Sequence, residues 1–243
     1  MDTIAAALPF ARGRIRVRLA GTEAEREACF ALRHLAFHGR AGRDVDGFDA
    51  DWPQIMIERD GELAGTFRLR LSHGEASGGY AGQFYDLCAL DAFPDAVLEL
   101  GRFCLAPTLG PDSDVLRVGW AALARIVEAA NVGLLFGCSS FPGTDPARHR
   151  AALARLGRDH AGPAAWPVGR RSSHIVDLPC DEAAEGDGAF PPLLRSYFQM
   201  GGWVSDHAVI DPDMQTIHVF TAVEIARIPP VRARALRALA GLD

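Results

Sequence analysis

Six side chains in the first hundred or so residues carry the chemistry this sequence can do: Arg33, Asp46, Asp49, Arg68, Glu99 and Arg102. Arg68 lies between Phe67 and Leu69, and Arg102 beside Phe103, in segments patterned as buried strands. An unpaired guanidinium is costly there, so both arginines need carboxylates. Asp46, Asp49 and Glu99 are the candidates. The Asp46–Asp49 spacing suits a turn or short helix with both carboxylates on one side. Two readings of the cluster stay open, and they can coexist. One is a structural ion-pair network. The other is a site for an amino acid, with arginine on its carboxylate and aspartate on its ammonium. Glu99 sits in the apolar run Val97–Leu105, where desolvation should raise its pKa. It is the candidate general base for deprotonating an amine, with a simple pairing to Arg102 as the alternative. Strict alternation puts Glu99, Gly101 and Phe103 on one face and Arg102 on the other. A bulge at Gly101 would change that facing and expose a backbone N–H to a developing oxyanion.

Other chemistries lack their residues. All 25 basic residues are arginine, which removes Schiff-base and P-loop lysine mechanisms. Cys29, Cys88, Cys104, Cys138 and Cys180 form no C-x-x-C pair and read as reduced, mostly buried thiols. Cys138, Ser139 and Ser140 end a strand without a G-x-S-x-G elbow. His149, His160, His174, His207 and His218 have no metal-binding spacing, so no metal site is expected. A net charge of −6 without a basic, aromatic-interleaved patch argues against nucleic acid.

Several elements must position these residues. Arg14–Leu19 alternates as a strand, and Thr22-x-x-Glu25 is a capping box opening a helix to about Ala36. Gly39–Pro53 is a loop with four aspartates. Gln54–Arg59 and Leu63–Leu71 form a hairpin about Asp60-Gly61. His73–Gly82 is a Gly/Ser-rich connection before the Val97–Leu105 strand. A helix from about Asp114 to Ala130 leads into Val132–Cys138, and Asp145-Pro146 opens a helix ending near His160. Ser173–Leu178 is a strand. Pro191–Met200 is a helix stopped by Gly201-Gly202, followed by a hairpin of Trp203–Ile210 and Thr216–Ile225 and a short helix after Pro229-Pro230. The expected fold is mixed α/β, a largely antiparallel central sheet flanked by helices. It forms one domain over residues 1–243, with a core of about 14–180 and a helix–hairpin extension of about 190–240.

In order, Leu32-Arg33-x-x-x-Phe37, Asp46-Gly-Phe-Asp49, Gly65-Thr66-Phe67-Arg68-Leu69, Phe84-Tyr85-Asp86-Leu87 and Leu98-Glu99-Leu100-Gly101-Arg102-Phe103 resemble the acyl-homoserine-lactone synthases, a branch of the GNAT acyltransferases. Phe136–Pro146, Leu194-Arg195-Ser196-Tyr197 and Val204-x-Asp206-His207-Ala208-Val209-Ile210-Asp211 instead resemble the ornithine N-acyltransferases of bacterial ornithine-lipid synthesis. That resemblance implies transfer of a 3-hydroxyacyl chain from acyl carrier protein (ACP) to the α-amine of L-ornithine, giving lyso-ornithine lipid. It implies Glu99 and Arg102 as catalytic residues. It implies substrate contacts from Arg33, Asp46, Asp49, Arg68, Phe84, Phe103, Ser139 and Ser140. No cofactor is held permanently; the phosphopantetheine arm of acyl-ACP is the donor. The alternatives are an acyl-homoserine-lactone synthase and a non-catalytic membrane-interaction protein on the same fold. Leu116-Arg117-Val118-Gly119-Trp120-Ala121 has leucine where a pyrophosphate-binding Q/R-x-x-G-x-G/A loop starts with a polar residue, which favours ACP over coenzyme A. His207-x-x-x-Asp211 is one residue short of the glycerolipid acyltransferase motif, so a second acylation is not expected.

Charge is uneven along the chain. Residues 1–20 and 227–243 each carry +3, leaving −12 on the rest. Arginine-bearing ends on an acidic body suggest weak electrostatic contact with ACP or with the inner face of a membrane. No apolar stretch is long enough to cross one and the N-terminus is not patterned as a secretory signal, so the expected place is the cytoplasm, peripherally at the inner membrane.

Overall fold

The computed structural model describes residues 2–109, 113–179 and 188–242. Cys180 and the −1 of Asp243 lie outside the described residues. The chain divides into two compact units: Met1–Leu71, Leu100–Val132 and Pro230–Asp243 form the first, Ser72–Glu99 and Gly133–Pro229 the second.

In the first unit, helix α1 (Asp2–Ala7) leads into strands β1 (Phe10–Arg12) and β2 (Ile15–Leu19), paired antiparallel with Phe10 opposite Val17. Gly13, at φ 59°, makes the reversal. The sequence pattern missed β1, which has only three residues and no room to show alternation. Helix α2 (Glu23–His38) starts at the expected capping box, with Thr22 and Glu25 each bonded to the other's backbone, and stops at Gly39 in the left-handed region. Strands β3 (Gln54–Arg59) and β4 (Glu62–Ser72) form the expected hairpin, closed by Asp60 and Gly61 at φ 54° and 87°.

The intervening chain of the second unit, described below, supplies β5 (Tyr85–Asp86) and helix α3 (Cys88–Asp91). Strand β6 (Ala96–Leu105) follows, giving Ala96 to Glu99 to the second unit and its remainder to the first. Helix α4 (Ser113–Ala129) returns to the first unit, whose strand order is β1-β2-β3-β4-β6. Alternation along β3 sorts its neighbours. Gln54 faces α2, while Ile57 faces α4, where Gly119 admits Ile57 and Phe103 at distances a side chain would close.

The second unit continues with β7 (Val132–Pro142), helix α5 (Arg150–Asp159), β8 (Gly169–Arg170), β9 (Ile175–Asp177), helix α6 (Pro192–Gln199), β10 (Trp203–Asp211) and β11 (Thr216–Glu224). Helix α7 (Pro230–Ala240) closes the first unit against α4. Arg125 of α4 donates to the carbonyls of Ala7 and Ala240 at 3.1 and 3.0 Å, tying α1 and α7 to the same helix.

Strand order in the second unit is β7-β11-β10-β9. The C-terminal hairpin, expected as an extension, lies inside this order: β11 pairs with β7 from Thr216 opposite Pro142 to Glu224 opposite Leu134. One face of these strands packs Tyr85, Phe136, Trp203 and Phe220 beneath the 76–93 segment. The other packs Phe141, Leu153, Leu156, Leu194 and Val219 beneath α5 and α6. The Gly/Ser-rich connection is not a plain loop: it forms two 3₁₀ turns, Ala76–Gly78 and Ala81–Gln83, whose Ala76, Ala81 and Gly82 are buried. The class is the expected mixed α/β, with mostly antiparallel strands flanked by helices.

Candidate active site

Arg33 projects from α2 and is fully buried; its Nε donates to Asp44 at 2.8 Å, and its two terminal nitrogens bracket Asp49 at 2.7 and 3.0 Å. Arg68, also fully buried, brackets Asp46 at 2.6 and 2.7 Å and reaches Asp49 at 2.8 Å. Its guanidinium lies 5.0 Å from the centre of the Trp52 ring. Arg102 donates to Asp44 at 3.0 Å and to Asp46 at 3.1 Å. Three guanidinium ions thus meet three carboxylates, and the planar fork of arginine makes the bidentate geometry available.

The aspartates are presented by a local fold that the charges alone would not produce. Asp46 caps the 3₁₀ turn Gly47–Ala50: its side chain accepts from Phe48 N–H, while Asp46 N–H donates to Asp49 in return. Gln54 adds an amide donor to Asp49 at 3.0 Å. The expected spacing argument for Asp46 and Asp49 is borne out by this turn. Asp44 was missed, although it belongs to the same aspartate-rich run; three arginines against two assigned loop carboxylates was the imbalance that could have pointed to it.

The backbone irregularity in β6 falls at Arg102 (φ 54°), not at Gly101. A left-handed arginine is strained, and its bonds to Asp44 and Asp46 hold it there. Gly101 serves space instead: a Cβ would stand 3.2 Å from Arg68 Nε.

Burial works to raise the Asp49 pKa, but the bonds from Arg33 and the charges of Arg68 and Arg33 outweigh it and leave the group at about 2. Asp46 is likewise lowered: burial opposes ionisation, and Arg68 with Arg102 overcomes it. Asp49, at 2% side-chain exposure, is closed to solvent, while Asp46 keeps 24%.

Phe103 belongs to the same unit and stacks on Phe67 with ring centres 5.2 Å apart. The remaining residues singled out belong to the second unit. Glu99 is buried and its Oε1 accepts from Ala81 N–H at 2.7 Å. Phe84 meets the His218 ring edge-on at 4.8 Å. Ser139 pairs with Val219 and Ser140 with His218 on successive positions of β7, so the two serines face opposite sides of the strands. Tyr85, part of the quoted Phe84–Leu87 motif but given no role there, donates its hydroxyl to the His218 carbonyl at 2.9 Å and lies 3.0 Å from His218 Nδ1. Burial pushes its pKa well up, and burial does the same to Tyr197, with Cys138 and Glu99 near it adding in the same direction. Leu116–Ala121 lies inside α4, from the end of its first turn onward, and beyond that turn backbone N–H groups are spent on the helix rather than offered to an anion. Among the described residues, no group of three or more histidine, cysteine or acidic side chains is placed to hold a metal.

The mixed sheet flanked by helices is the fold of the GNAT acyltransferases, and the acetyltransferase (GNAT) domain family matches residues 26–113. The fold is similar to that of FeeM, an N-acyl amino acid synthase from uncultured soil microbes, at a TM-score of 0.54 and 10% identity over 88% of this chain and 94% of that one. The loading GNATL domain of CurA from Lyngbya majuscula gives a TM-score of 0.51 at 12% identity, over 88% and 99%. The chain belongs to the L-ornithine N(alpha)-acyltransferase family. It is 31% identical to the protein of that name from Rhizobium meliloti (strain 1021) over 88% of this chain and 81% of the relative. It is 30% identical to that from Brucella abortus (strain 2308) over 89% and 86%.

The network makes stability acid-sensitive in a defined window. Asp49 has a folded pKa below its unfolded value of about 3.9, so its contribution is complete above that value and disappears as pH falls towards 2. The shift is worth on the order of 2 kcal/mol. Urea unfolding from pH 7 down to 2.5 should show this loss. Asp49→Asn should be less stable at pH 7 by about 3–5 kcal/mol, because it leaves buried arginine uncompensated, with a flatter acid limb. Equal stability of the variant at pH 7 would show that the arginines do not depend on Asp49.

Proposed function

We propose that this protein transfers a 3-hydroxyacyl chain from ACP to the α-amine of L-ornithine, forming an amide and releasing the free thiol of the carrier. The similarity to the ornithine acyltransferases over nearly nine-tenths of the chain carries this reading. The thioester carbonyl is attacked by the neutral amine, so a proton must leave the nitrogen before or during attack. Glu99, a buried carboxylate on β6, is the group chosen to take it. Arg102, three residues along the same strand, holds the strand's irregularity through its aspartate bonds and is the second residue assigned to catalysis. A backbone N–H freed at such an irregularity is a natural donor to the oxyanion.

The acceptor carries a carboxylate and two ammonium groups, and Asp46 is the network carboxylate with exposure enough to meet one of them. Asp49, Arg33 and Arg68 then act by holding Asp46 in place. Phe84, Phe103 and one of Ser139 and Ser140 are assigned to the acyl chain and its arm. ACP is favoured as donor because the segment at Leu116–Ala121 is helical and begins with leucine where a pyrophosphate loop needs a polar residue.

The product is a lipid, and this reading has the enzyme work at the inner membrane surface without spanning it. No described helix is long and apolar enough to cross a membrane. Arg12, Arg16 and Arg234 are exposed, whereas Arg18 and Arg237 are spent on Glu58 and Glu128. At about 1 kcal/mol per arginine near an anionic surface, attachment is weak and reversible. The protein should cosediment with anionic vesicles at low salt and be released by moderate salt. Equal binding to neutral vesicles, or none to either, would remove the membrane from this account.

Glu99→Gln tests the base. It should lower kcat by about 100-fold or more while leaving the KM for ornithine nearly unchanged. Near-normal turnover of the folded variant, with only thermal stability lost, would make Glu99 a structural residue.

A further inference from the structure

The Glu99 carboxylate rests in a seat made of backbone. Ala81 N–H donates to Oε1, and the other oxygen occupies the space where residue 79 would carry a side chain. A Cβ built on Gly79 would fall 1.7 Å from Glu99 Oε2 and 2.9 Å from Cδ. Gly79 has φ −94° and ψ −172°, extended backbone open to any residue. The glycine is therefore there for room, not for conformation. What a methyl would strike is the far end of a flexible side chain, so an alanine would displace the carboxylate and spare the fold.

The seat itself is braced. Gly79 N–H donates to Ala76 O at 3.4 Å, closing the first turn, and Phe84 N–H donates to Ala81 O at 3.0 Å, closing the second. Ser77 is held from α3, its N–H donating to Asp91 at 2.9 Å and its hydroxyl bonded to the same carboxylate. A Cβ on Gly82 would meet Ser77 O at 2.0 Å, so the two turns touch through their backbones. Arg171 donates to Gly82 O at 2.9 Å from the far side. Such a turn pair cannot follow the carboxylate if it moves. Beyond the seat, Tyr197 of α6 lies within electrostatic reach of Glu99 and of Cys138 on β7, and Cys138 in turn reaches Tyr85.

We propose that Gly79 and the Ala81 N–H are positioning elements of the acyl transfer, fixing the direction in which the Glu99 carboxylate meets the amine. This rests on the reading of Glu99 as the base and adds the device that aims it. A misplacement of about 1 Å at a reacting group can cost about 100-fold in rate, so a glycine that sets the carboxylate position governs kcat without touching substrate. Losing the Ala81 bond also removes a donor from the ionised carboxylate, which favours its protonated form.

The test is a double-mutant cycle of Gly79→Ala and Glu99→Gln, read by kcat, KM and the pH dependence of kcat. Gly79→Ala should lower kcat by about 100-fold, leave both KM values near the parent, and move the acid limb of the profile to higher pH. In the Glu99→Gln background it should change kcat little further, because both act through one carboxylate. Parent-like kcat and pH profile in Gly79→Ala, or a full additional loss on top of Glu99→Gln, would overturn the positioning role while leaving the base intact. Parent-like kcat in Glu99→Gln would instead overturn the base itself, and the positioning role with it. Glu99→Asp guards against a Gly79 variant that does not fold. It keeps the carboxylate and the turns but withdraws the oxygen from Ala81 N–H, so it should lose most of kcat; full activity would overturn the proposal.

Discussion

A buried guanidinium must find its carboxylates, and in the first unit that requirement governs everything near the site. Arg33 and Arg68 are wholly out of solvent on α2 and β4, and they are matched by Asp44, Asp46 and Asp49 on one short segment. With Arg102 the six charges sum to zero. Removing any one leaves an ion stranded in a low-dielectric interior, which costs far more than the pair gained by forming. The segment 44–54 therefore has little freedom: its 3₁₀ turn, its reciprocal caps and Gln54 all serve to hold acceptor atoms where the arginines need them.

The constraint reaches β6 from both sides. Gly101 has no side chain because Arg68 passes there, and Arg102 accepts a left-handed backbone because its guanidinium is bonded to Asp44 and Asp46. Earlier on the same strand Glu99 is governed by a different neighbour, the paired turns of 76–83. One strand thus carries two solutions to the same problem of placing a charged group among apolar ones: arginine met by carboxylates, and carboxylate met by backbone. The absence of lysine from the whole sequence fits the first solution, since bidentate recognition is what a guanidinium supplies and an ammonium does not.

Much of this was legible in the sequence, and the parts that were not have physical reasons. The capping box at Thr22, the Asp60-Gly61 hairpin and the Gly39 and Gly201 stops are local signals written in adjacent residues, and they hold. The need of Arg68 and Arg102 for carboxylates was readable from their apolar neighbours. The identity of the third aspartate partner was not, because Asp44 depends on where α2 lies rather than on spacing. Strand β1 and the two turns of 76–83 escaped because three-residue elements have no period. The kink at Arg102 escaped because strain looks for glycine in a sequence, whereas here it is stabilised by ion pairs formed only after folding. Ser139 and Ser140 come from the resemblance, which carries no strand geometry, and alternation along β7 turns them to opposite sides.

In the proposed reaction this framework serves amide formation between a carrier-bound acyl chain and ornithine. The most direct measurement gives the purified protein one 3-hydroxyacyl chain, either on ACP or on coenzyme A, with ornithine, lysine, glutamine and glycine present in equal amounts. Mass spectrometry then reads the products over time. An ornithine amide is expected as the main product, formed much faster from the ACP thioester than from the coenzyme A thioester. An amide of another acceptor, equal use of both donors, or thioester hydrolysis without any amide would contradict it.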